Sequence, residues 1–136
     1  MNKLILNQLA DGLYAIGEGK GFSKPIIRTD RYNSEIYIVH KHAIQIEIDW
    51  LENNLFMYVV YLENDKLPDK SVIYYYNNGH WCRKFLEEIY GVKRPYAKDS
   101  CRRYSPEYLF DCFEFYRQLI SSDPVVLMDF FTSNNT

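Results

Sequence analysis

Ala43-Ile44-Gln45-Ile46-Glu47-Ile48-Asp49-Trp50-Leu51-Glu52-Asn53-Asn54-Leu55-Phe56-Met57-Tyr58-Val59-Val60-Tyr61-Leu62 decides the fold. Ile44, Ile46, Ile48 and Trp50 alternate with Gln45, Glu47 and Asp49, so one face of an extended segment is apolar and the other acidic. Leu51-Glu52-Asn53-Asn54 makes a corner, and the run from Leu55 to Leu62 is apolar on both faces. Together they predict a β-hairpin. Its second strand is covered front and back, and its first strand shows carboxylates to solvent.

Outward from the hairpin, further short β-rich runs predict an antiparallel meander. Ile26-Ile27-Arg28 opens a strand, Arg31-Tyr32-Asn33-Ser34 turns, and Ile36 to His40 returns. Beyond a polar loop around Pro68, Val72-Ile73-Tyr74-Tyr75-Tyr76 predicts another strand, closed by Asn77-Asn78-Gly79. Helical spacing frames this region on both sides. Leu6, Leu9, Leu13 and Ile16 predict a helix over 3–15. Trp81, Phe85 and Ile89 share a stripe that ends at Gly91, a residue suited to a C-cap. Ser105-Pro106-Glu107 and Asp123-Pro124 are helix starts, leading into Leu109, Phe113, Tyr116 and Ile120 and then into Val125 to Phe131. Strands grouped ahead of helices predict an α+β fold: an antiparallel sheet of four to five strands, with an N-terminal helix and three C-terminal helices packed on it. The span 1–136 is expected to be a single globular domain.

Composition is that of an ordinary globular chain, with 47% hydrophobic and 25% charged residues, but 13 tyrosines make it rich in aromatics. Charge is unevenly placed. Residues 43–69 carry six acids and one base, residues 80–103 seven bases and three acids, and residues 104–136 five acids and one base. Cys82, Cys101 and Cys112 are an odd number without C-x-x-C spacing, which argues against a disulfide scaffold and a thiolate zinc site. No apolar run reaches the roughly 20 residues of a membrane span, and the start of the chain lacks the pattern of a signal peptide. These features predict a cytoplasmic protein.

Evidence for catalysis is thin. His40-Lys41-His42 is an H-x-H pair that, with a carboxylate, would suit a small metal-dependent hydrolase. Exposed corner histidines are the simpler reading. Gly17-Glu18-Gly19-Lys20-Gly21 lacks the Ser or Thr and the following helix that a phosphate loop needs, so it reads as a linker. The segment 93–104 interleaves tyrosine with Lys93, Arg94, Lys98, Arg102 and Arg103, a pattern suited to a nucleic-acid-binding module. The slightly acidic chain speaks against that. No cofactor is implied.

The run Ile48 to Leu62, with Tyr74-Tyr75-Tyr76 and Trp81-Cys82-Arg83-Lys84, resembles small bacterial immunity proteins encoded beside polymorphic or contact-dependent growth-inhibition toxins. The resemblance implies a cytosolic, non-enzymatic inhibitor that binds one cognate toxin, often a nuclease domain. It carries no site residues with it. The charge pattern supplies the expected surface. Glu47, Asp49 and Glu52, extended by Glu63, Asp65 and Asp69, would meet the toxin's basic groove. Tyr58 and Tyr61, or Tyr74 and Tyr75, would serve as aromatic anchors.

Overall fold

The computed structural model describes residues 1–69, 76–77, 80–95 and 105–133. The architecture is α+β. Strands β1 (Ile26–Thr29), β2 (Asn33–Val39), β3 (Ala43–Asp49) and β4 (Asn54–Val60) form an antiparallel meander, and β7 (Arg83–Phe85) adds to its far side, giving the order β1-β2-β3-β4-β7. A separate two-stranded ladder joins β5 (Tyr76–Asn77) to β6 (His80–Trp81). Helix α1 (Lys3–Gly17) precedes the sheet, and α2 (Leu86–Tyr90), α3 (Glu107–Ser122) and α4 (Pro124–Ser133) follow it.

The decisive hairpin forms as expected. Ile44, Ile46 and Ile48 of β3 lie opposite Val59, Met57 and Leu55 of β4 and, on the other side, opposite Ile38, Ile36 and Ser34 of β2. Period-two alternation places this apolar set on one face, where α1 and α3 bury it. Leu6, Leu9 and Leu13 of α1 and Leu109, Cys112, Phe113 and Tyr116 of α3 belong to the same core. Each fully buried Ile, Leu or Met side chain contributes roughly 1.5–3 kcal/mol, so the shared face holds the sheet and both helices together.

Local chemistry sets the helix ends. Asn2 caps α1 by accepting a hydrogen bond from Ile5 N at 3.1 Å. Gly12 sits against Phe113 of α3: a Cβ there would lie 2.9 Å from the Phe113 ring. Gly91 closes α2 in the left-handed region, with φ 67°. Helix α3 begins at Glu107, later than the Ser105 start signal suggests, with the Ser105 and Pro106 carbonyls accepting from Tyr108 N and Leu109 N.

One expected helix is largely a strand. The stripe Trp81, Phe85, Ile89 suggests helix from residue 81. Instead Arg83, Lys84 and Phe85 pair with Val60, Val59 and Tyr58, and helix begins only at Leu86. An open edge on β4 offers these residues a ladder of backbone hydrogen bonds, which overrides a weak local preference. Of the strand expected over Val72 to Tyr76, Tyr76 lies in β5, which extends to Asn77, and the rest lies outside the described residues.

Candidate functional site

The second face of the sheet is where the expected binding residues fall. Alternation puts Glu35 and Tyr37 of β2, Gln45 and Glu47 of β3, Phe56 and Tyr58 of β4, and Arg83 of β7 on this face. The register places Glu35 beside Glu47, and Tyr37, Gln45, Tyr58 and Phe85 in one row. It is not an open acidic surface. Glu35, Tyr37 and Gln45 have no exposure to solvent, and Tyr58 retains only 4%.

A hydrogen-bonded network explains how polar groups can lie there. The Gln45 amide nitrogen donates to Glu35 Oε2 at 2.9 Å and to Tyr37 Oη at 3.0 Å, while Tyr37 donates to the same Glu35 oxygen. The Gln45 carbonyl oxygen turns the other way and accepts from Arg83 Nη1 at 3.1 Å. That nitrogen also meets Glu47 Oε2 at 3.1 Å. The Arg83 guanidinium lies 3.7 Å from the Tyr58 ring centroid, and the Tyr58 hydroxyl reaches Glu47 Oε1 at 3.5 Å. Burial pushes the Tyr58 hydroxyl well above its ordinary pKa; Arg83 opposes that shift and Glu47 reinforces it. Arg28 flanks the network, 5.2 Å from the Tyr37 ring centroid, and donates to the Pro68 carbonyl at 3.0 Å.

The expectation that β3 displays its carboxylates to solvent is therefore corrected. Glu47 is half-buried and paired with the chain's own Arg83. Asp49 is committed to the β3–β4 corner, where Oδ1 accepts from Leu51 N at 3.0 Å and Glu52 N at 3.3 Å. Tyr58 is buried and cannot be an exposed anchor. Tyr61 is half-buried, edge-on to His42 and tilted against Phe130. Tyr74 and Tyr75 lie outside the described residues. Arg83, which completes the network, looks in sequence like one more cation of a basic stretch. Its pairing follows from its strand register, and only the β4–β7 ladder reveals it.

The remaining acids are exposed at two separate places. Glu52 stands at the β3–β4 corner. Glu63, Asp65 and Asp69 lie in the loop that leaves β4 over the second face. This loop is built to a defined shape. Glu63 N donates to Lys66 O at 2.8 Å and Lys66 N to Glu63 O at 3.0 Å, closing a two-residue turn. Asn64 and Asp65 occupy the left-handed region, φ 52° and 62°, as a type I′ turn requires. Leu67 packs on the second-face cluster, and the carbonyl of buried Pro68 is tied to Arg28.

The two alternative sites look different in three dimensions. His40 is exposed beside Phe22, whereas His42 is buried against Tyr61 and Phe131. Among the described residues no group of three or more His, Cys, Asp or Glu side chains is arranged to hold a metal. In the basic segment, Arg94 is used internally. It donates to the Leu55 carbonyl, to Asn54 Oδ1 at 2.8 Å and to Tyr116 Oη at 3.3 Å, and its guanidinium lies 4.7 Å from the Phe56 ring centroid. Residues 96–104 fall outside the described part. Arg94 also borders a cleft of about 440 Å³, whose walls include Phe56, Phe85, Glu87 and Tyr108. Cys82 and Cys112 are unbridged and buried, and burial raises the pKa of both thiols.

Comparison with protein-family models, with curated proteins and with solved structures yielded no match to this chain. Among the described residues no helix is long and apolar enough to cross a membrane.

Proposed function

We propose that this chain is an immunity protein, a cytoplasmic inhibitor that binds a bacterial toxin domain and blocks its active site or substrate groove without chemistry of its own. The observation that supports this reading is the acidic turn Glu63-Asn64-Asp65-Lys66 with Asp69 beyond it. Two exposed carboxylates, Glu63 and Asp65, are presented by a backbone already held in its turn, and the exposed Asp69 follows buried Pro68. An anionic projection of fixed shape loses little conformational freedom on docking and speeds encounter with a basic groove such as a nuclease presents. Glu52, at the separate corner, is a second anionic contact. Glu47, Asp49 and Tyr58 support the fold beneath and take no part in this contact.

The test is co-expression with the C-terminal domain of a polymorphic toxin encoded immediately upstream. Growth should be restored and the two proteins should co-purify. Replacing Glu63, Asp65 and Asp69 together by lysine should weaken the complex at least about tenfold and flatten the dependence of its association rate on salt. Protection with unchanged affinity and salt dependence in the triple variant would remove the loop from the interface. Failure to protect at all would remove the immunity reading itself.

A further inference from the structure

Strand β1 is one edge of the five-stranded sheet, and among the described residues it pairs only with β2. Its backbone pattern shows which groups are left over. Asp30 N donates to Asn33 O at 3.0 Å, so that pair is a hydrogen-bonded one. Alternation in an antiparallel ladder makes Arg28–Glu35 and Ile26–Tyr37 hydrogen-bonded pairs as well. The N–H and C=O groups of Ile27 and Thr29 therefore point away from β2, and among the described residues no strand pairs with them.

Edges of this kind are usually blunted by charged side chains, proline or a covering element. Here Pro25 stands only at the start of the strand. Arg28, the strand's one charged residue, is folded inward over Tyr37 and bonded to Pro68 O. Ile26 and Ile27 remain 41% and 42% exposed at the edge. A row of backbone groups flanked by two exposed isoleucines is a template for another strand.

The sequence around the edge selects the partner. Lys24 and Asp30, both exposed, lie three residues either side of Ile27. If two copies of β1 run antiparallel with Ile27 on the symmetry axis, Lys24 of each faces Asp30 of the other. Ile27 meets Ile27, and Ile26 lies beside Arg28. The Ile27 N–H and C=O groups are exchanged between the copies, and each Thr29 N–H donates to the carbonyl of Pro25 opposite. Pro25 has no N–H to return, so each Thr29 carbonyl at this seam stays with solvent. A register one residue later would set Arg28 against Arg28, which like-charge repulsion disfavours. We propose that β1 is a self-complementary edge through which two copies of this chain dimerise, pairing antiparallel about Ile27 and joining their sheets into one. The strand is short and the buried area correspondingly small, so the dimer is a weak one.

Sedimentation equilibrium of the full chain alone tests this without any toxin. The apparent mass should climb from monomer towards dimer as concentration approaches about 1 mM. Thr29→Pro removes an outward N–H while sparing the ladder to β2, and should leave the protein monomeric with an unchanged circular dichroism spectrum. Lys24→Glu, at an exposed position outside the core, should move dimerisation to at least about tenfold higher concentration. Adding Asp30→Asn, which lifts the like-charge repulsion but keeps the oxygen that caps the turn to Tyr32 N and Asn33 N, should recover part of that loss. A wild-type mass that stays monomeric to about 1 mM overturns the proposal, as does a dimer that survives both Thr29→Pro and Lys24→Glu. Capture of a foreign strand by the edge, with no self-association, would also overturn it.

Discussion

Arg83 shows how much one side chain can organise. Its Nη1 serves both the Gln45 carbonyl oxygen and Glu47, and its guanidinium covers Tyr58. Side-chain exposure of 14% for Arg83 and 15% for Glu47 leaves the pair little water to fall back on. Removing one partner from such a pair costs more than the net value of the contact, because the other loses its main compensation. Arg83→Ala should therefore lower unfolding free energy by about 1–3 kcal/mol. Glu47→Gln should cost less, and the double variant should cost less than the sum of the two, as urea denaturation of all four proteins would show. Additive losses would mean that the two side chains act independently. Glu47 was legible in the sequence as an acid on an alternating strand. Its neutralisation was not, because its partner lies 36 residues further on.

Elements meet here through close approaches that small residues permit. Gly12 lowers the intrinsic preference of α1 for helix, yet the helix runs unbroken from Lys3 to Gly17. The reason is packing against α3: a methyl at Gly12 would press on Phe113 at 2.9 Å, and Phe113 is itself buried in the core. Gly12→Ala should gain about 1 kcal/mol in helix propensity and lose about 1–3 kcal/mol to overpacking. The expected result is net destabilisation in a urea titration, relieved when Phe113→Leu is added. A more stable Gly12→Ala protein would show that the two helices can separate freely. Periodicity revealed α1 and α3 because each carries its apolar stripe in sequence. It mistook β7 for the start of α2 because Trp81, Phe85 and Ile89 fit a helical spacing while the vacancy beside β4 is invisible to local pattern.

Across the whole molecule, burial of tyrosines ties stability to alkaline pH. Burial, with the charge of Asp123 adding to it, pushes Tyr90 up to about 12. Burial likewise raises Tyr58 and Tyr116 far above the ordinary phenol value, against the opposing influence of Arg83 and Arg94 respectively. A phenol with a raised folded-state pKa favours the native state while it is protonated. This contribution is complete below the unfolded value near pH 10 and is lost as pH climbs through the folded values. The melting temperature should show no tyrosine-linked loss up to about pH 10, then fall, with the tyrosinate absorbance of the buried rings appearing together with unfolding. Tyr90→Phe should reduce that fall. Tyrosinate absorbance developing fully around pH 10 in the native protein would contradict the burial of these rings.

Alternation of isoleucines with polar residues, a two-sided apolar strand and helical stripes at either end determined the α+β class, the meander and the apolar face of the sheet. These are local patterns, and local periodicity suffices to mark which side of an element is apolar. Only the tertiary structure decided what became of the polar side. Whether a carboxylate faces water or an arginine depends on which distant strand pairs alongside and which loop crosses above. Those long-range contacts turned the expected acidic ribbon into an internal network and left the exposed charge on the turn at Glu63 to Lys66, because an amino acid's type sets its preference for water but not its access to it.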